Sequence, residues 1–161
     1  MRRLLGVLRG DGDQAPSLAP QPGLAEVPSL VEQVGRAGLR VELVVEGAEA
    51  PLPAGVDLSA YRIVQEALTN ALRHGGSGRA RVSVRYGEHD LELRIHNGAE
   101  SASGRRRSDS DRQIRRSGRP GQGLIGMRER VALFGGELYA GRGPDGGFTV
   151  TARLPIGTSA P

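Results

Sequence analysis

Apolar positions along this chain recur at two different periods, and the switches between them mark out its elements. Val27, Leu30, Val31 and Val34 fall at helical spacing, which predicts a helix from Pro28 to Arg36. Arg40 to Glu46 alternates and predicts a strand. Tyr61, Val64, Leu68, Ala71 and Leu72 then share one stripe, predicting a helix from about residue 58 to 74, with Asp57 or Ser59 as its N-cap. Strands follow over about 79–86 and 90–97, joined at Gly87-Glu88-His89 as a hairpin. Residues 98–120 are rich in Ser, Arg and Gly, with Ile114 as their single aliphatic residue, and read as a loop. Gly121 to Gly126 opens a helix over Leu124–Phe134 that Gly135-Gly136 ends. Two last strands, about 136–140 and 147–154, meet through the turn residues Pro144-Asp145-Gly146. The fold expected is α+β: a two-layer α/β sandwich whose mixed, mostly antiparallel sheet carries about three helices on one face.

Ahead of these elements, residues 10–23 read as a linker of Gly, Asp, Pro, Gln, Ser and Ala. Leu4, Leu5 and Leu8 fit the last turns of a helix. The opening Met1-Arg2-Arg3-Leu4-Leu5 resembles a signal peptide only briefly, because its apolar stretch runs at once into Gly10-Asp11-Gly12-Asp13. No run of 18 apolar residues occurs in the sequence. With no cysteine there is no disulfide, thiolate metal site or cysteine nucleophile. The expectation is a cytoplasmic protein with no direct membrane contact.

Charge sharpens the picture at one place. The net charge is +4, and residues 100–119 hold seven arginines against Glu100, Asp109 and Asp111. That segment therefore carries the whole excess. A basic segment on an otherwise neutral domain implies a local anionic partner. Nucleic acid fits poorly, since none of the five aromatic residues lies in 105–119 to stack on bases.

Candidate chemistry begins on the helix predicted over 58–74. Arg62, Glu66, Asn70 and Arg73 recur at i, i+4, i+8 and i+11 and share the face opposite the apolar stripe. Arg and Glu are ordinary on a solvated face. Asn is a weaker helix former, because its amide competes for backbone hydrogen bonds. One turn after a Glu, it offers a neutral oxygen to a hard cation beside a carboxylate able to orient water or a hydroxyl. Taken alone, the segment reads first as an ordinary amphipathic helix with one indifferent Asn.

Gly121-Gln122-Gly123-Leu124-Ile125-Gly126 fits G-x-G-x-x-G, but not in a dinucleotide-binding setting. An Arg/Ser loop precedes it in place of a buried strand, and Asp145, at roughly the right distance, lies in a turn. The local physics holds regardless: glycines let backbone N–H groups approach a phosphate, and the following helix aims its positive end there.

Together these segments resemble the ATP-binding catalytic domain of bacterial two-component sensor histidine kinases, a fold shared with gyrase-type topoisomerases and heat-shock chaperone ATPases. The resemblance is greatest to the subfamily that pairs with helix-turn-helix response regulators. It covers about residues 24–157, with 98–120 as the ATP lid, 158–161 as a tail and 1–9 as the remnant of a dimerisation helix. Tyr61–Gly75 resembles the family's N box, which implies that Asn70 ligates Mg²⁺, Glu66 polarises the attacking nucleophile or water, and Arg73 and His74 lie near the phosphates. Leu91–Ala99 resembles the adenine-reading strand. Gly121–Arg130 resembles the second glycine box, which implies nucleotide contacts from Gly121, Gly123, Leu124 and Gly126. Gly146–Pro155 resembles the closing strand.

This chain departs from the family pattern in three places. Strand alternation sets Leu91, Leu93, Ile95 and Asn97 on one face, so Asn97 stands at the nucleotide-binding position usually held by Asp. Ala99 and Ser101 replace the two glycines usual after it. Phe148 stands where a nucleotide-contacting Thr is common, and Thr149 is turned to the other face. Finally, no His sits on a dimerisation helix: His89-Asp90 lies in a hairpin turn, His74 belongs to the N box, and His96 lies outward in mid-strand.

The resemblance implies a domain that binds ATP with Mg²⁺ and transfers the γ-phosphoryl group to a histidine outside this chain. Its partners would be a histidine-containing dimerisation domain, in trans or from the parent kinase, and a response regulator; the domain itself is expected to be monomeric. The alternative is a non-catalytic, nucleotide-responsive docking module that binds ATP without phosphotransfer.

Overall fold

The computed structural model describes residues 20–74, 78–98 and 122–157. The expectations for residues 1–9, most of the linker, the lid beyond Gly98, Gly121 and the tail lie outside these. A short 3₁₀ turn, Leu24–Glu26, leads into helix α1, Val27–Arg36, followed by strand β1, Arg40–Glu46, and the long helix α2, Ala54–His74. Strands β2, Arg79–Tyr86, and β3, Asp90–Asn97, come next; then helix α3, Gln122–Ala132, and strands β4, Glu137–Arg142, and β5, Phe148–Pro155.

These five strands form one sheet in the order β1-β2-β3-β5-β4. Only β1 and β2 run parallel, and α2 makes the crossover between them. The other neighbours are antiparallel, β2–β3 and β4–β5 as hairpins and β3–β5 through the longer connection that carries α3 and β4. Alternation decides which face is covered. Ala80, Val82 and Val84 of β2, Leu91, Leu93 and Ile95 of β3, and Val150, Ala152 and Leu154 of β5 are all buried. The helices close over this side: α1 against β1, α2 against β2 and β3, α3 against β4 and β5. From above, Val34, Ile63, Val64, Leu68 and Met127 complete the core. Truncating a core leucine such as Leu93 to Ala would cost about 2–5 kcal/mol.

The opposite face is lined by charge. Arg81 pairs with Glu42 at 2.8 Å, Arg85 with Glu92 at 2.6 Å, and Arg153 with Asp90. Each bridges neighbouring strands in solvent, where such pairs contribute about 0–1 kcal/mol.

Two helix starts differ from the sequence expectation. Helix α2 begins at Ala54, directly after Pro53, and Asp57 lies inside its first turn instead of capping it. The Asp57 carboxylate is engaged elsewhere, accepting the Leu24 N–H at 2.8 Å. Helix α3 begins at Gln122, two residues before the expected Leu124, so Gly123 is a helical residue and not part of a loop before the helix.

Candidate functional site

Four chain segments meet at one end of the domain. Residues 75–78 alone separate His74, the end of α2, from Arg79, the start of β2. So few residues span little distance, which brings the last turns of α2 to the end of the sheet where β2 begins. Register places Asn97 there as well, because Ala80 pairs with Asn97. Asn97 pairs in turn with Phe148, the first residue of β5. The start of α3 reaches this end through Glu66, against which Gly123 packs.

On α2, Ile63, Val64, Ala67, Leu68 and Ala71 are buried, whereas Arg62, Glu66 and Asn70 are only partly so. Arg62 donates to Gln65 Oε1 at 2.9 Å, and buried Thr69 donates to the Gln65 carbonyl at 2.8 Å. Glu66 and Asn70, one helical turn apart, therefore keep their polar groups on the accessible side. Arg73 and His74 are exposed at the C-terminal end of the helix.

Gly123 brings α3 against this face. A Cβ placed on Gly123 would stand 2.2 Å from Glu66 Oε1, 3.0 Å from Cδ and 3.3 Å from Cγ. Only glycine lets the first turn of α3 approach the carboxylate so closely. The N-terminal end of a helix carries partial positive charge, so Glu66 is held where an anion is favoured. Leu124 is half-buried and packs on the core, and Gly126 is partly buried beneath the Arg130 guanidinium. Of the sequence-predicted residues, Glu66 on α2 and Gly123 on α3 are thus brought together.

Asn97 closes the site from the sheet. Its Oδ1 is buried and has no hydrogen-bond partner among the described residues. A buried acceptor left unpaired costs about 1–3 kcal/mol, so a native one calls for a reason. Its side chain lies beside that of Phe148, since directly paired residues share a face. Phe148 is partly buried against the core and gives the amide an apolar flank. A planar heterocycle with an exocyclic amine would meet both needs: an N–H for Oδ1 and an apolar surface beside Phe148.

The donor set suits a nucleotide with a hard cation. Asn70 offers a neutral amide oxygen one turn from a carboxylate, a sparse set of the kind Mg²⁺ accepts when phosphates and water complete its shell. Among the described residues no group of three or more His, Asp or Glu is placed to hold a metal by itself.

One cluster was not foreseen. His96, adjacent to Asn97 but on the open face, has Nε2 2.9 Å from Asp145 Oδ2 and Nδ1 2.8 Å from Thr149 Oγ1. Each of the three looked unremarkable on its own strand or turn. Only the register, which pairs His96 with Thr149, unites them.

Residues 55–158 match the family model for histidine kinase-, DNA gyrase B- and HSP90-like ATPases. The chain is 32% identical over 139 residues to the sensor histidine kinase YxjM of Bacillus subtilis, covering 85% of this chain and 31% of that protein. To the sensor histidine kinase LnrJ of the same organism it is 30% identical over 137 residues, covering 80% and 31%. The chain thus spans about a third of the length of these relatives. Its fold is similar to that of the Acinetobacter baumannii histidine kinase AdeS, with a TM-score of 0.59 at 14% identity, covering 98% of this chain and 76% of that one. The chain belongs to the histidine kinase-, DNA gyrase B- and HSP90-like ATPase family, and within it to the ATP-binding catalytic domains of sensor histidine kinases.

Proposed function

We propose that this domain binds ATP at the end of the sheet closed by Asn97 and passes the γ-phosphoryl group to a histidine on a dimerisation domain, in trans or from the parent kinase. The observation that carries the proposal is the buried, unpartnered Asn97 Oδ1 beside Phe148. The adenine amine donates to this oxygen, and the ring lies along Phe148. A neutral amide makes a weaker hydrogen bond than the carboxylate usual at this position. The phosphates run toward the N-terminal end of α3, where backbone N–H groups and the helix dipole favour negative charge. Gly121, Gly123, Leu124 and Gly126 belong to that cradle, and Arg73 and His74 flank it from the end of α2.

Asn70 would hold Mg²⁺ through its amide oxygen. When bound, the ion offsets charge on the β- and γ-phosphates. Glu66 accepts a hydrogen bond from the N–H of the incoming imidazole, which orients the opposite ring nitrogen toward the γ-phosphorus. That nitrogen forms the new P–N bond while the bond to the β–γ bridging oxygen breaks and ADP departs, and the Glu66 carboxylate takes up the proton from the opposite ring nitrogen. The phosphoryl group then passes to a response regulator with a helix-turn-helix output domain, and the whole operates in the cytoplasm. Among the described residues, no helix is long and apolar enough to cross a membrane.

The test is transfer of radiolabelled γ-phosphate from ATP to a purified dimerisation domain carrying its acceptor histidine. Glu66→Gln should lower the transfer rate by about 10²–10⁴-fold while ATP binding persists. Undiminished transfer would remove Glu66 from this role.

A further inference from the structure

Asn97 and Phe148 form the last pair of the β3–β5 ladder, and ladder ends fray unless something beyond them holds. Next to this pair lies the turn between β4 and β5, which contains Gly143, Gly146 and Gly147 and so has much backbone entropy to lose on ordering. A chain of polar contacts on the open face fastens it. His96 Nε2 lies 2.9 Å from Asp145 Oδ2, and the second Asp145 oxygen accepts the Gly147 N–H at 3.0 Å. From its other nitrogen, His96 contacts Thr149 Oγ1 at 2.8 Å. Gly147 is wedged beneath: a Cβ there would stand 2.6 Å from the Asn97 carbonyl oxygen, 2.8 Å from His96 Cε1 and 3.1 Å from Asp145 Oδ2.

We propose that His96 is a positioning residue for nucleotide recognition: with Asp145 and Thr149 it fixes the β4–β5 turn on the end of β3 and so sets Asn97 and Phe148 to receive the base. The inference rests on the nucleotide-binding function proposed for this end of the sheet. Asn has only two side-chain torsions, so holding its backbone largely sets where its amide reaches. The Asn97 carbonyl is held by the close approach of Gly147, and Gly147 by Asp145. Nε2–H donates to Asp145, and the Thr149 hydroxyl donates to Nδ1.

Because the cluster lies on the open face and Asp145 is half-exposed, substitutions there leave the core untouched. The experiment compares the unaltered chain with Asp145→Ala, Asp145→Asn and Thr149→Val, titrated with a non-hydrolysable ATP analogue and, separately, with inorganic tripolyphosphate. Asp145→Ala should weaken the analogue about tenfold and Thr149→Val by a smaller factor. Asp145→Asn, whose amide oxygen accepts from the Gly147 N–H while its NH₂ donates to Nε2 of the His96 tautomer that carries its proton on Nδ1, should return affinity to within about twofold of the original. Tripolyphosphate, lacking a base, should bind all four alike. Equal analogue affinity in Asp145→Ala would overturn the inference, as would parallel losses for analogue and tripolyphosphate, which would mean general loosening. Failure of the unaltered chain to bind the analogue would instead overturn the nucleotide-binding function itself. Amide exchange at Phe148 then decides the brace without nucleotide: faster exchange in Asp145→Ala supports it, and an unchanged rate overturns it.

Discussion

A side-chain carbon on Gly123 would stand 2.2 Å from Glu66 Oε1, so α3 and α2 meet at the carboxylate with room for a hydrogen and nothing larger. The atom in the way is the tip of a flexible side chain, which can move at little cost. Gly123→Ala also removes the entropy penalty of glycine in a helix, about 1 kcal/mol. The variant should therefore melt at the same temperature or slightly higher, yet transfer phosphate at least about tenfold more slowly because Glu66 is displaced. Calorimetric melting and the radiolabel transfer assay, run on the same preparation, check the two halves.

Gly147→Ala should behave in the opposite way. Its new carbon would meet the Asn97 backbone oxygen at 2.6 Å, an atom that moves only if the ladder moves. Overpacking of this kind typically costs about 1–3 kcal/mol. Urea unfolding should show a lower midpoint with an unchanged slope.

Asn70→Ala should weaken binding of the ATP analogue only when Mg²⁺ is present. If Asn70 supplies one oxygen to the ion, titrations in excess EDTA should give equal affinities for variant and parent, and titrations in Mg²⁺ should separate them. Equal loss in both conditions would mean that Asn70 serves the helix or the nucleotide directly.

Stability should decline above about pH 10, where tyrosines begin to ionise. Burial raises the pKa of the Tyr86 phenol above its ordinary value of 10.0, and the nearby Glu49 and Asp57 carboxylates raise it further. Tyr61 is also raised, chiefly by burial, with Arg62 opposing and Glu26 assisting. Below pH 10 both states hold the proton and the contribution is fully present. As pH rises through the folded value, the folded state must ionise a phenol it disfavours, and the contribution is lost. Tyr86→Phe should flatten the fall in melting temperature above pH 10, while leaving its neutral-pH dependence unchanged.

Much of this was legible in the sequence, for local reasons. The strands expected over 79–86 and 90–97 are those found, because strict alternation bounded by Gly87-Glu88-His89 leaves little choice of register. The face carrying Glu66 and Asn70 was equally clear, since helical period alone sets it. What escaped depends on contacts between distant segments. Asp57 has the chemistry of an N-cap, but its carboxylate serves Leu24, 33 positions away. Gly123 looked like a loop residue and is helical, because its lack of a side chain answers to Glu66 on another helix. His96, Asp145 and Thr149 are innocuous one by one and become a unit only when β3 pairs with β5.

The most direct measurement is calorimetric titration of the domain with a non-hydrolysable ATP analogue, with and without Mg²⁺. If Asn97 reads the base and Asn70 holds the ion, binding should be near or tighter than about 1 mM, roughly −4 kcal/mol, and should weaken when Mg²⁺ is withdrawn. No heat at several millimolar analogue would contradict this, and would mean that Asn97 and Phe148, where Asp and Thr are usual, have cost the site its nucleotide.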